Sequence, residues 1–183
     1  MTPLDIGLLA AIAAIAVVAA AAVRRGSLPK RLAAPAGAPR ILVPFSGDLD
    51  PIVLNAAIRM VSAEQAVLVT AYLLIVPLRC AEDSPLRDEV KLAMPVLEAI
   101  EHAALRAGVP VDARIEKGRT LTHALRKLWE VERFDRIVAS APADGRAGFT
   151  EKELAWLLTH APTETVVLKP TPTGPPFRRR PAA

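Results

Sequence analysis

The chain has 183 residues, 52% of them hydrophobic and 23% charged, with a formal net charge of +4. Its one cysteine, Cys80, excludes an internal disulfide, and its three histidines, His102, His123 and His160, lack metal-ligand spacing. Few aromatics are interleaved with the basic residues, which argues against a nucleic-acid partner.

Residues 6–23, IGLLAAIAAIAVVAAAAV, form an unbroken apolar run. Eighteen residues of helix rise about 27 Å, close to the roughly 30 Å of a bilayer's hydrocarbon core. The run predicts one transmembrane helix within residues 1–25. Asp5 is the only charged side chain before it, and Arg24, Arg25, Lys30 and Arg31 follow. The positive-inside bias then puts the N-terminus outside and the rest in the cytoplasm, at the cell (inner) membrane, as a single-pass protein. A cleaved signal peptide would carry a basic region before the run, and none is there. Half of the run is Ala, and Gly7, Ala10, Ala11 and Ala14 fall on one side. Such a surface predicts docking on a membrane protein or membrane complex through this helix.

Residues 26–39 read as a Gly/Pro/Ala-rich linker. From Arg40, RILVPF reads as a buried strand that ends at Ser46-Gly47-Asp48. Asp50-Pro51 reads as an N-cap with proline at the first helical position. A second strand is expected at about 66–73. Ser84-Pro85 opens a helical pattern through Leu105, with Pro95 expected to kink or split it. Val109–Ile115 reads as a third strand, Thr120–Val131 as a third helix and Phe134–Ser140 as a fourth strand. Thr150 and Glu153 have the spacing of a capping box and start a helix that runs to His160. Thr165–Leu168 reads as a fifth strand. Residues 171–183 are a Pro/Arg-rich tail. Arg178 to Arg180 and the basic residues near 24–40 would face anionic lipid headgroups.

Five strands alternating with helices predict an α/β domain at 40–170 with a parallel sheet covered on both faces. A crevice beyond the carboxyl ends of its strands would lie at Ser46–Asp50 and Ser140–Gly148. No Ser–His–Asp or thiolate arrangement suggests catalysis.

RILVPFSG, RAGVPVDARIEKG, FDRIVASAP and THAPTETVVLKP, in this order, resemble the universal stress protein family over residues 40–170. The resemblance implies a five-stranded parallel sheet of order 3-2-1-4-5 and a homodimer formed through the last strand. Many family members bind ATP, with an acidic residue after the first strand, a Gly-x-x-Gly turn after the fourth and a later Gly-Ser or Gly-Thr pair. Here those positions fall on Ser46, or on Phe45 in a register shifted by one, on Ser140 and Ala143, and on Glu151 and Lys152. Gly145 and Gly148 keep the glycine spacing but lie later, and they read as a flexible surface loop. The site is therefore read as degenerate, with Ser46, Gly47, Ser140, Gly145 and Gly148 as its nearest candidates. No cofactor is expected, with ATP the alternative. The expected function is a non-catalytic, membrane-anchored accessory or interaction module, a subunit or regulator of a membrane complex or transporter. The alternative is an ATP- or AMP-responsive stress regulator that uses a non-standard nucleotide loop.

Overall fold

The computed structural model describes residues 36–142 and 148–170. The expected transmembrane helix, nearly all of the linker, Ala143, Gly145 and the tail lie outside the described residues. No helix among the described residues is long and apolar enough to cross a membrane.

The elements run β1 (Arg40–Phe45), α1 (Pro51–Glu64), β2 (Val67–Ile75), α2 (Arg87–Arg106), β3 (Val111–Gly118), α3 (Leu121–Val131), β4 (Arg136–Ser140), α4 (Glu151–His160) and β5 (Glu164–Leu168). The strands form one sheet of order β3-β2-β1-β4-β5, and every pairing is parallel. β1 and β2 are apolar at nearly every position because both of their faces are covered. Ile41, Val43, Phe45, Leu68 and Leu74 pack with Val53 and Leu54 of α1 and Leu97 and Ile100 of α2. On the other face, Leu42, Val69, Leu73 and Ile137 pack with Leu125 and Leu128 of α3 and Leu157 of α4.

Several boundaries differ from the sequence reading. β3 runs from Val111 to Gly118 rather than from Val109 to Ile115, because Val109 still donates to the Ala104 carbonyl at the end of α2 and because Glu116, Lys117 and Gly118 pair with Leu73, Leu74 and Ile75 of β2. β4 starts at Arg136, since Asp135 already binds the Arg40 backbone through its carboxylate and its N–H. α2 starts at Arg87, because Ser84 closes a turn onto Ala81 and Leu86 adopts a left-handed φ of +41°. Pro95 does not split α2, which is continuous from Arg87 to Arg106. Pro95 and Lys91 are both on the exposed side, so water can solvate the carbonyl that the proline leaves unpaired.

Arg40, Asp112, Arg114 and Glu132 form a closed ring of charge at the amino end of the sheet. Arg40 meets Asp112 at 3.1 Å and Glu132 at 2.5 Å, while Arg114 meets Glu132 at 2.7 Å and also pairs with Asp112. Burial pushes the Asp112 carboxyl up, but the Arg114 and Arg40 guanidiniums outweigh it and hold the group below the ordinary aspartate value. A depressed carboxyl stabilises the fold above its unfolded-state pKa and loses that contribution as pH falls. Asp112→Asn is expected to lower stability at pH 7 by about 1 kcal/mol, because the ring is partly exposed. Denaturant titrations below about pH 4, where aspartates protonate, should show a shallower acid loss for this variant than for the wild type. Parallel acid slopes would contradict the assignment.

Candidate functional site

The strand order reverses between β1 and β4, and their carboxyl ends open on a crevice. On the β1 side the chain leaves through exposed Ser46 and through Gly47, whose φ is +77°. Asp48 lines the crevice, and Leu49 is 3% exposed. Asp50 is buried and caps α1, accepting the Ile52 N–H at 2.8 Å through its carboxylate. The amino end of α1 is thus supplied with an anion by the chain itself.

On the β4 side, Ser140 is buried and its hydroxyl donates to the Ala141 carbonyl at 3.3 Å. Its carbonyl accepts the Phe149 N–H at 2.9 Å, and the Ala141 N–H donates to the Leu168 carbonyl at 2.8 Å. These bonds tie both ends of the β4–α4 loop to the sheet. Gly148 is exposed at the surface but comes close to the Ala141 backbone. A Cβ there would lie 2.8 Å from the Ala141 carbonyl oxygen, so only glycine lets the two ends of the loop meet.

α4 begins at a complete capping box. Glu153 Oε2 accepts the Thr150 N–H and the Thr150 hydroxyl, each at 2.8 Å, and the Glu153 N–H donates to Thr150 Oγ1 at 3.3 Å. The amino end of this helix, a ready anion site elsewhere, here holds the chain's own carboxylate. Glu151 adds a second one in the first turn.

The structure places Ser46, Ser140 and Gly148 around one crevice, while Gly47 is not among its lining residues. The sequence reading missed the residues that fill it: Leu49, Phe149 and, from the first turn of α3, Leu121. Phe149 is 3% exposed and precedes the Thr150 cap. Phe149 and Leu154 have the spacing of a hydrophobic staple and share one apolar cluster. That pattern, an aromatic before Thr-x-x-Glu-Leu, was the available signal. A small cavity of about 20 Å³ lies among these residues.

No family model matches the sequence, and no curated protein matches it. Solved structures do match. A universal stress protein from Lactobacillus plantarum is 18% identical, with a TM-score of 0.54 over 71% of this chain and 97% of that one. A universal stress protein in complex with cAMP is 16% identical, with a TM-score of 0.54 over 72% of this chain and 97% of that one. One from Archaeoglobus fulgidus, in complex with dAMP, is 12% identical, with a TM-score of 0.53 over 70% of this chain and 96% of that one.

The chain has the universal-stress-protein fold. The strand order implied by the resemblance is the one observed. At these identities the likeness speaks for the fold, so the site must be judged on its own residues. The crevice at β1 and β4 is lined by Leu49, Leu121 and Phe149, and the helices that follow β1 and β4 both begin at side-chain caps.

Proposed function

We propose that the chain is a non-catalytic interaction module, held at the cell membrane by residues 6–23 with its α/β domain in the cytoplasm. In this reading it serves as an accessory or regulatory subunit of a membrane complex or transporter. The carrying observation is the α4 terminus, where Glu153 accepts the Thr150 N–H and hydroxyl and so holds a carboxylate beside the helix's amino end. A phosphate there would sit beside the Glu151 and Glu153 carboxylates, so like-charge repulsion opposes it. The small crevice supports the same reading. With no nucleotide to carry, the domain's surfaces and its N-terminal segment remain as its means of action.

The second reading is a nucleotide-responsive regulator, favoured by the cAMP and dAMP complexes of two proteins of this fold. It requires the β4–α4 loop to present its backbone to phosphate in a form other than the capping box. In both readings the exposed edge of β5, with Val167 at its surface, is the surface proposed for a homodimer.

Co-purification tests the first reading. The full chain extracted from membranes in mild detergent should bring a membrane protein with it in fixed stoichiometry. Gly7→Leu combined with Ala11→Leu should lose that protein while the chain still fractionates with membranes. Recovery from the soluble fraction, or an unchanged partner with the double variant, would count against docking through this segment.

A further inference from the structure

A second charged cluster lies at the carboxyl end of β3 and holds the β2–α2 loop, residues 76–86. The Arg119 guanidinium donates to the carbonyls of Pro77 at 2.7 Å, Cys80 at 2.9 Å and Val76 at 3.4 Å. Lys117 donates to the Ser84 carbonyl at 2.6 Å. Lys127 donates to Glu82 at 3.2 Å and to the Lys117 carbonyl at 3.1 Å. Arg119 therefore carries much of the grip on the loop, and its own backbone is held in turn by His123. The Arg119 N–H donates to Nδ1 of His123 at 3.2 Å.

His123 sits in the first turn of α3, and its N–H donates to the Thr120 cap at 3.1 Å. Its Nε2 lies 4.0 Å from Glu82. The charged groups around the ring are Glu82 from the loop, Arg119 from the corner and Lys127 from α3, with Glu116 of β3 behind Lys127 at 3.9 Å.

We propose that His123 is a pH-sensitive latch: its neutral ring accepts the Arg119 N–H, and its protonation breaks that bond and loosens the β3–α3 corner together with the loop it grips. A backbone N–H can only donate, so the bond fixes Nδ1 as the acceptor and leaves the ring proton on Nε2, toward Glu82. A second proton must go onto Nδ1, where it faces another donor. The resulting cation also sits at a helix amino end, where the dipole disfavours positive charge. Glu82 supplies the opposing pull. The Lys127 hydrogen bond keeps its carboxyl below the ordinary glutamate value, so it stays charged as the imidazole titrates. The protonated ring is drawn off Arg119 toward Glu82, which then has less to offer Lys127. Leu121 carries the effect onward, since it lies in the same helical turn and lines the crevice.

Two-dimensional NMR of the full chain in detergent micelles tests this between pH 8 and 5, the range in which imidazoles change charge. The Arg119 amide should titrate with the midpoint of the His123 ring. Its exchange protection, corrected for the intrinsic pH dependence, should fall about tenfold, as for the loss of one ordinary hydrogen bond. His123→Asn offers an amide oxygen that accepts at every pH, so Arg119 should then stay constant. An Arg119 amide that ignores the ring's titration overturns the proposal. So does a ring that stays neutral down to pH 5, or the same pH response in His123→Asn.

Discussion

Gly118→Val should cost the domain about 3 kcal/mol or more, at the upper end of overpacking penalties. Gly118 ends β3 and lies against the backbone of α3. A Cβ there would stand 2.5 Å from the Ala124 nitrogen and 2.8 Å from its Cα. Both atoms belong to a helix whose next residues, Leu125 and Leu128, are locked into the core. The helix cannot retreat without opening that layer, and a rotamer change cannot relieve a backbone clash. Typical domains are stable by only 5–15 kcal/mol, so the variant should be strongly destabilised. In urea the midpoint should fall with an unchanged slope, the sign of lost stability in an unaltered fold. Gly118→Ala should show a smaller loss in the same direction. A valine variant as stable as the wild type would mean that α3 does not pack on this strand end.

Leu157→Ala should cost about 2–5 kcal/mol, the usual range for a buried leucine. Leu157 is the one fully buried residue of α4. The helix is otherwise fastened by Trp156, which stacks on Trp129 of α3 with ring centroids 5.6 Å apart and planes 12° apart. His160 stacks on Trp156 at 4.8 Å, and the Arg126 guanidinium lies 5.8 Å from the same ring centre. These outer contacts are partly exposed and cannot replace a core leucine. The chain has only two tryptophans, so its fluorescence reads the α3–α4 contact directly. The variant should unfold earlier, with its tryptophan signal changing before the far-UV signal of the sheet. Coincident transitions at the wild-type midpoint would contradict the role given to Leu157.

Much of the fold was legible because its strongest signals are local. RILVPF and the second apolar run announce strands covered on both faces. Asp50-Pro51 and Thr150-x-x-Glu153 announce helix starts, and both caps form as read. The true end of β3 was hidden, since Glu116, Lys117 and Gly118 belong to the strand by pairing with Leu73, Leu74 and Ile75 of β2, a contact from a distant part of the chain. Pro95 did not split its helix, and the exposure of the carbonyl it leaves unpaired is something that spacing alone does not reveal. At the site, Ser46 and Ser140 were found because strand ends can be read from sequence. Leu49 and Phe149 were not, because filling a crevice is a property of three-dimensional packing. The close approach of Gly148 to the Ala141 backbone was hidden likewise, since it depends on where Ala141 lies.

The proposal that the crevice does not serve nucleotides is tested most directly by calorimetry on the full chain with ATP, AMP and cAMP, with and without magnesium. Each absent charge-assisted hydrogen bond typically forfeits about 1.5–3 kcal/mol. Two such losses turn a micromolar affinity into a roughly millimolar one. The expected result is therefore no heat of binding below about millimolar nucleotide. Saturable binding in the low micromolar range would contradict the account and place the regulator reading ahead of the interaction module.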